Sequence, residues 1–197
     1  MLNTAFIIIN DIIFQALSNI HPLSDGFKNY LNQNLKELHL NKKEIYLHNG
    51  EINNKISFII KGFLRSYYIT DEGIDTTVWF MKEGDVCISV KSFYERTASE
   101  EFIQAQEQSI LLYISYQELQ EAYKLFPEFN IIGRKLTEKY YVLSEERLLG
   151  IRNKKAKDRY AFLLKHHPEI AQRALVQHIA SYLDIDKHRL SKIRAQF

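Results

Sequence analysis

Cysteine is nearly absent: Cys87 is the only one in 197 residues, which rules out a disulfide within the chain and a metal cluster held by cysteines alone. It reads most simply as a small residue in an apolar stretch, with a redox sensor as the sharper alternative. Long hydrophobic runs are absent too. "AFIII" near the start is broken by Asn10 and Asp11 and has no basic flank, so neither a signal peptide nor a membrane anchor is expected, and the chain reads as cytoplasmic. Missing as well are a Gly-rich phosphate loop, a His-Glu metal motif, a nucleophile elbow, and His and carboxylates at ligand spacing. The expectation is therefore a protein that is not an enzyme and needs no cofactor.

Net charge is low, at +2, and by itself says nothing about partners. Dividing the chain changes this. From Arg147 to Phe197 twelve Lys and Arg stand against four acids, a net +8, while residues 1–146 hold fourteen against twenty, a net −6. A basic end on an acidic body suggests a nucleic-acid reader joined to a part with another task. The length allows one domain or two small ones.

Within the acidic body, Gly50, Gly62, Gly73 and Gly84 recur at spacings of 12, 11 and 11 residues. Between them lie "ISFIIKGFLRSYYI" and "DTTVWFM", rich in β-branched and aromatic residues, with "FIQAQE" and "ILLYIS" as later strands. This is the strand-and-turn rhythm of a β-sandwich or barrel, in which Trp79 is expected to serve the core. "SYQEL" then has Ser115 and Glu118 at capping-box spacing. Pro127 opens a longer helix on which Phe129, Ile132, Leu136, Tyr140 and Leu143 recur every three or four residues, with Leu148 and Ile151 continuing the apolar positions. At 1.5 Å per residue such a helix is on the order of 30 Å long. It is expected to carry those five residues into a homodimer seam, or else to serve as a core helix of one chain.

The last stretch, "LVQHIASYLDIDKHRLSKIRAQF", has the spacing of a helix-turn-helix. Ile179 and Leu183 fall on one face of a first helix, and Leu190 and Ile193 on one face of a second, with Ile185 just past the turn. Ala180 is the small residue at the crossing, Asp184 occupies the turn position that favours a left-handed backbone, and Asp186 is a good N-cap. Lys187, His188, Arg189, Lys192 and Arg194 lie on the sides the apolar residues do not use, where they can reach phosphates and base edges. The bland alternative is a solvated helix end whose cations suit the C-terminal dipole.

The order of parts resembles the Crp/Fnr family of bacterial transcription regulators, most specifically in "ISFIIKGFLRSYYITDEGIDTTVWFMKEGDV" and "ALVQHIASYLDIDKHRLSKIRAQF". The resemblance implies an α+β architecture: a cyclic-nucleotide-binding-like β-roll sensor over residues 1–126, a dimerisation helix and hinge over 127–152, and a helix-turn-helix DNA-binding domain over 153–197, with no room for a β-hairpin wing after the last helix. It further implies double-stranded DNA and a second copy of the chain as partners, with RNA polymerase a candidate third. Asp186, Lys187, His188, Arg189, Ser191 and Lys192 fall where the family contacts DNA, and Gln177 starts the bracing helix. The family's best-known readers use an Arg-Glu pair and a later Arg, where this chain has Lys187, His188 and Lys192, so their target sequence does not carry over.

The sensor departs further. Ile88 and Ser89 stand where cyclic-AMP binders carry Gly-Glu, Ser99 and Glu100 stand where they carry Arg-Ser, and the long helix offers one hydroxyl, Ser144, in place of two. A carboxylate facing a phosphodiester without a cation is electrostatically wrong, and Arg96 could substitute only if the loop were shifted. The implied effector is a small molecule other than cyclic AMP, or none. An iron–sulfur cluster needs several cysteines, and His21, His39 and His48 read as structural rather than as haem ligands. The alternative to a DNA-binding regulator is a cyclic-nucleotide-binding-like regulatory subunit that acts through a protein partner.

Overall fold

A computed structural model describes residues 4–152 and 154–197, with side chains from Asn10 onward; the side chains of "AFIII" fall outside that range. Two N-terminal helices, α1 (Thr4–Ser18) and α2 (Asp25–Asn34), precede eight strands. These are β1 (Lys36–Leu40), β2 (Ile45–Leu47), β3 (Lys55–Lys61), β4 (Leu64–Ile69), β5 (Asp75–Met81), β6 (Val86–Cys87), β7 (Phe102–Ala105) and β8 (Ser109–Ser115), with a short helix α3 (Val90–Glu95) between β6 and β7. They form two four-stranded antiparallel sheets, ordered β1-β8-β3-β6 and β2-β7-β4-β5. The expected α+β architecture with a jelly-roll body is what the chain adopts.

Sequence alternation explains the sheets. In β3, Ser57 and Ile59 point inward and are buried, and in β8 Leu111, Leu112 and Ile114 close two cores on either side of the strand. Gly62 joins β3 to β4 with φ +117°, and a Cβ there would collide with the side chain of Ser109. Both the backbone angle and the close approach demand glycine.

Cys87 is fully buried in the roll core, and burial drives its thiol pKa upward, which favours the small-core-residue reading over a reactive thiol. Trp79 is only partly buried against that core and also lines a cavity described below, so it is not simply core.

Helix α4 (Tyr116–Leu125) opens with the expected capping box: Ser115 Oγ accepts from Glu118 N–H at 3.2 Å while the Glu118 carboxylate accepts from Ser115 N–H at 2.8 Å. Pro127 then begins the 25-residue α5 (Pro127–Ile151). Phe129 and Ile132 are buried in the protomer's own core, Leu136 packs on the same cluster, Tyr140 accepts the Val86 N–H at 2.7 Å, and Leu143 lines an intramolecular cavity. The positions expected at a dimer seam thus face the chain's own roll, Phe129 and Ile132 buried there and Leu136, Tyr140 and Leu143 half-buried. The opposite side exposes Ile131, Tyr141, Val142, Leu148 and Leu149. At 100° per residue, Ile131, Val142 and Leu149 lie on one stripe.

Four helices complete the chain: α6 (Ala156–His166), α7 (Pro168–Arg173), α8 (Val176–Tyr182) and α9 (Lys187–Arg194). Their core includes Tyr160, Leu163, Ile170, Ile179, Leu183, Leu190 and Ile193, and it continues into the roll through Phe63 and Phe80.

Candidate nucleic-acid interface

The turn between α8 and α9 is built by backbone chemistry that the sequence encodes. Asp184 sits at φ +53°, which lets Ile185 N–H donate to Ala180 C=O at 2.9 Å and Asp184 N–H donate to Ser181 C=O at 3.1 Å. This pair of bonds is a Schellman closure, with Ile185 packing back toward Ala180. Arg159 seals it by donating to the carbonyls of Leu183 and Asp184 at 3.0 and 2.8 Å. Asp186 caps α9, accepting from Arg189 N–H at 3.0 Å, and that bond lowers its carboxyl pKa.

Helix α9 is divided cleanly. Leu190 and Ile193 are buried, while Lys187, His188, Arg189, Ser191 and Lys192 are exposed and Arg194 is half-buried. Among the described residues, no carboxylate pairs with Lys187, Arg189, Lys192 or Arg194. Gln177, second in α8, is exposed as well. Lys154, Lys155 and Lys157 add exposed charge beside the start of α6. The arrangement offers several unpaired donors on one rigid helix, which suits a polyanion with readable edges.

The helices are also docked on the roll by residues that no local pattern marks. Arg173 donates to both oxygens of Glu83 at 2.8 and 3.0 Å and to Glu107 at 2.5 Å, and it pulls the Glu83 pKa down to about 2. Lys82 pairs with Glu169 at 2.8 Å, Ser181 Oγ donates to Thr77 Oγ1 at 2.9 Å, and Phe80 meets the Tyr182 ring edge-on at 5.2 Å. Arg65 is buried, held by both oxygens of Asp75 and by Thr77, and its charge faces His178 of α8. Desolvation first, and Arg65 second, push the His178 pKa down to about 4. The only sequence signal for this contact is a charge, Arg65, inside an otherwise uncharged strand.

The corresponding segment of the roll is closed on itself. Ser89 and Ser99 are buried with their hydroxyls 3.3 Å apart, and Ser89 N–H donates to Asn53 Oδ1 at 2.8 Å. Glu100 is exposed and paired with Lys91 at 2.5 Å. Arg96 is the left-handed cap of α3; it donates to the carbonyls of Asn53 and Phe93 at 2.9 and 3.1 Å and stacks on Tyr116 at 4.1 Å. Ser144 Oγ donates to the Tyr141 carbonyl on an exposed turn of α5. These residues do not present a cation and hydroxyls to a cyclic phosphate. Among the described residues there is also no group of His, Cys, Asp and Glu fit to hold a metal, and no helix long and apolar enough to cross a membrane.

Residues 37–125 match the cyclic nucleotide-binding domain family. No curated protein sequence matches the chain significantly. Among solved structures, the chain is similar to FixK2 from Bradyrhizobium japonicum, with a TM-score of 0.69 at 20% identity, covering 82% of this chain and 83% of that one. A putative transcriptional regulator of the Crp/Fnr family from Eubacterium rectale matches with a TM-score of 0.69 at 21% identity, over 89% and 83% of the two chains. CooA from Carboxydothermus hydrogenoformans matches with a TM-score of 0.67 at 22% identity, over 93% and 83%. The roll of this chain is therefore similar to the cyclic nucleotide-binding domain family over residues 37–125, and the chain has the fold of these solved structures, one of them a putative regulator of the Crp/Fnr family.

Proposed function

We propose that this protein is a dimeric, sequence-specific DNA-binding regulator of transcription. In this reading residues 1–126 are the sensor, 127–152 the dimerisation helix and hinge, and 153–197 the DNA-binding domain, and the effector, if the roll takes one, is not cyclic AMP. The observation that carries the reading is the outer face of α9, where Lys187, His188, Arg189, Ser191 and Lys192 stand exposed on a helix whose other side is locked into a core. The fold shared with a Crp/Fnr regulator supports it. Dimerisation is assigned to the exposed stripe of Ile131, Val142 and Leu149 on α5, since the opposite face is already used within the protomer. A two-fold dimer would set two copies of α9 in successive major grooves over a near-palindrome.

The test is retention of genomic DNA fragments by the purified protein at moderate salt, followed by sequencing, beside a Lys187→Ala, Arg189→Ala, Lys192→Ala variant. The wild type is expected to enrich a near-palindromic site. The variant is expected to bind that site about a hundredfold or more weakly, because each lost phosphate or base contact costs about 1–3 kcal/mol. A Val142→Asp, Leu149→Asp variant is expected to sediment as a monomer and to lose most of the affinity. Retention without sequence preference would indicate a general nucleic-acid binder. No retention at any salt would favour a regulatory subunit acting through a protein partner.

A further inference from the structure

The roll, the long helix and the C-terminal helices do not meet in a continuous seal. Between them lies a cavity of about 230 Å³. Its floor is aromatic: Phe63 and Phe80 stack at 5.3 Å with planes nearly parallel, and Trp79 and Tyr182 stand beside them. Tyr140 and Leu143 contribute the α5 wall, and His166, His167 and Glu169 the wall from the C-terminal helices.

Size and charge narrow what could enter. Drug-sized ligands occupy roughly 300–1,000 Å³, whereas an apolar cavity of about 150 Å³ accommodates benzene. The volume here lies between, which suits one or two fused rings. The polar rim is already balanced. Lys82 is paired with Glu169 at 2.8 Å, and Asp85 accepts the Lys82 N–H at 3.0 Å and lies 3.5 Å from the Tyr140 hydroxyl. Burial raises the Asp85 pKa and lowers that of His167. With its one lysine neutralised and two carboxyls present, the site is unsuited to a phosphate or carboxylate ligand. The carboxyl oxygens and imidazoles offer hydrogen bonds to ring N–H and ring nitrogen atoms.

We propose that this junction cavity is a binding site for a small, neutral, planar heteroaromatic molecule that stacks on the Phe63, Trp79 and Phe80 surface and hydrogen-bonds to Asp85 and Glu169. Its walls come from three parts of the chain, so an occupant bridges the roll to the C-terminal helices and favours their docked arrangement. The site stands apart from the Ser89–Ser99 cassette and does not depend on the DNA-binding reading.

Trp79 is the only tryptophan, so intrinsic fluorescence of the full chain reports on this cavity directly, with no DNA present. The probes are adenine and indole, with cyclic AMP and inorganic phosphate beside them. Adenine, which both donates and accepts, is expected to change Trp79 emission saturably at millimolar concentration or below and to raise the melting temperature. Indole is expected to bind more weakly, and phosphate and cyclic AMP to leave both readouts unchanged. Leu143→Phe, which reduces the free volume, is expected to weaken adenine at least tenfold; Lys91→Ala, at the distant cassette, is expected to leave it unchanged, which separates loss of the site from a general loss of fold. The proposal is overturned if neither ring compound gives a saturable change, if phosphate competes equally, or if Leu143→Phe binds adenine as the wild type does.

Discussion

Two regions of the chain, the roll cassette and the last helix, treat their polar groups in opposite ways. In the roll cassette, Ser89, Ser99, Asn53 and Arg96 spend their hydrogen bonds on one another and on backbone carbonyls. On α9, Lys187, Arg189 and Lys192 have no ion-pair partner among the described residues. The cassette lies in the part of the chain that matches the cyclic nucleotide-binding domain family, yet its polar groups are bonded to one another; the last helix leaves its cations without ion-pair partners among the described residues. The fold of the roll does not carry its site chemistry with it, so function here has to be argued from the residues rather than from the roll.

The strongest way to break this contrast is to reopen the cassette. Ser99→Arg with Glu100→Ser restores the residue types of a cyclic-AMP site, but Ser99 is buried and bonded both to Ser89 and to the Glu101 carbonyl. Overpacking together with an unpaired buried charge is expected to cost about 3 kcal/mol, read by denaturant unfolding. Cyclic AMP is expected to leave the melting temperature of both proteins unchanged. Unaltered stability with a cyclic-AMP-dependent rise in the variant would show that the cassette is closed only by its side chains and not by its packing.

Much of this architecture was legible because it is local. The positive-φ glycines at the roll turns, the Ser115–Glu118 box, Pro127 at a helix start, the Asp184 turn and the Asp186 cap each depend on a few neighbouring residues. The orientation of α5 was not legible, because Phe129–Ile132–Leu136 and Ile131–Val142–Leu149 are both apolar helical series, and only the position of the roll decides which is covered. The docking of the C-terminal helices was hidden for the same reason. Arg173 finds Glu83 and Glu107 across 90 and 66 residues, and Ser181 finds Thr77 across 104, separations that leave no periodic trace.

That docking contact joins the two contrasting regions, and Arg173 is its electrostatic centre. Arg173→Ala leaves Glu83 and Glu107 facing each other without a cation. Both carboxylates are roughly two-fifths exposed, at 42% and 41%, so solvent screens much of the repulsion. The expected loss is about 1–2 kcal/mol of unfolding free energy, shrinking in high salt. Arg173→Lys is expected to recover only part of it, since an ammonium cannot make the fork to Glu83. An alanine variant as stable as the wild type at low salt would mean that the apolar contact of Phe80 with Tyr182 holds the halves together by itself.

The smallest effect lies in the same contact and depends on pH. His178 is buried on α8, its Nδ1 lacks a hydrogen-bond partner among the described residues, and the charges that face it are Arg65 from β4 and Asp75 from β5. Its pKa falls from 6.5 to about 4, so the docked state favours the neutral ring. The contribution is complete above the ordinary value of 6.5 and is lost as pH drops from there toward 4. Between roughly pH 7.5 and 5.5 the wild type is therefore expected to lose roughly 1 kcal/mol more stability than His178→Gln, which cannot gain a proton. Depressed carboxylates such as Glu83 respond only at lower pH, and His167, whose pKa burial also lowers, is common to both proteins, so the difference between the two curves isolates His178. Parallel curves over that window would place the ring in contact with water and loosen the α8–β5 contact from which the argument starts.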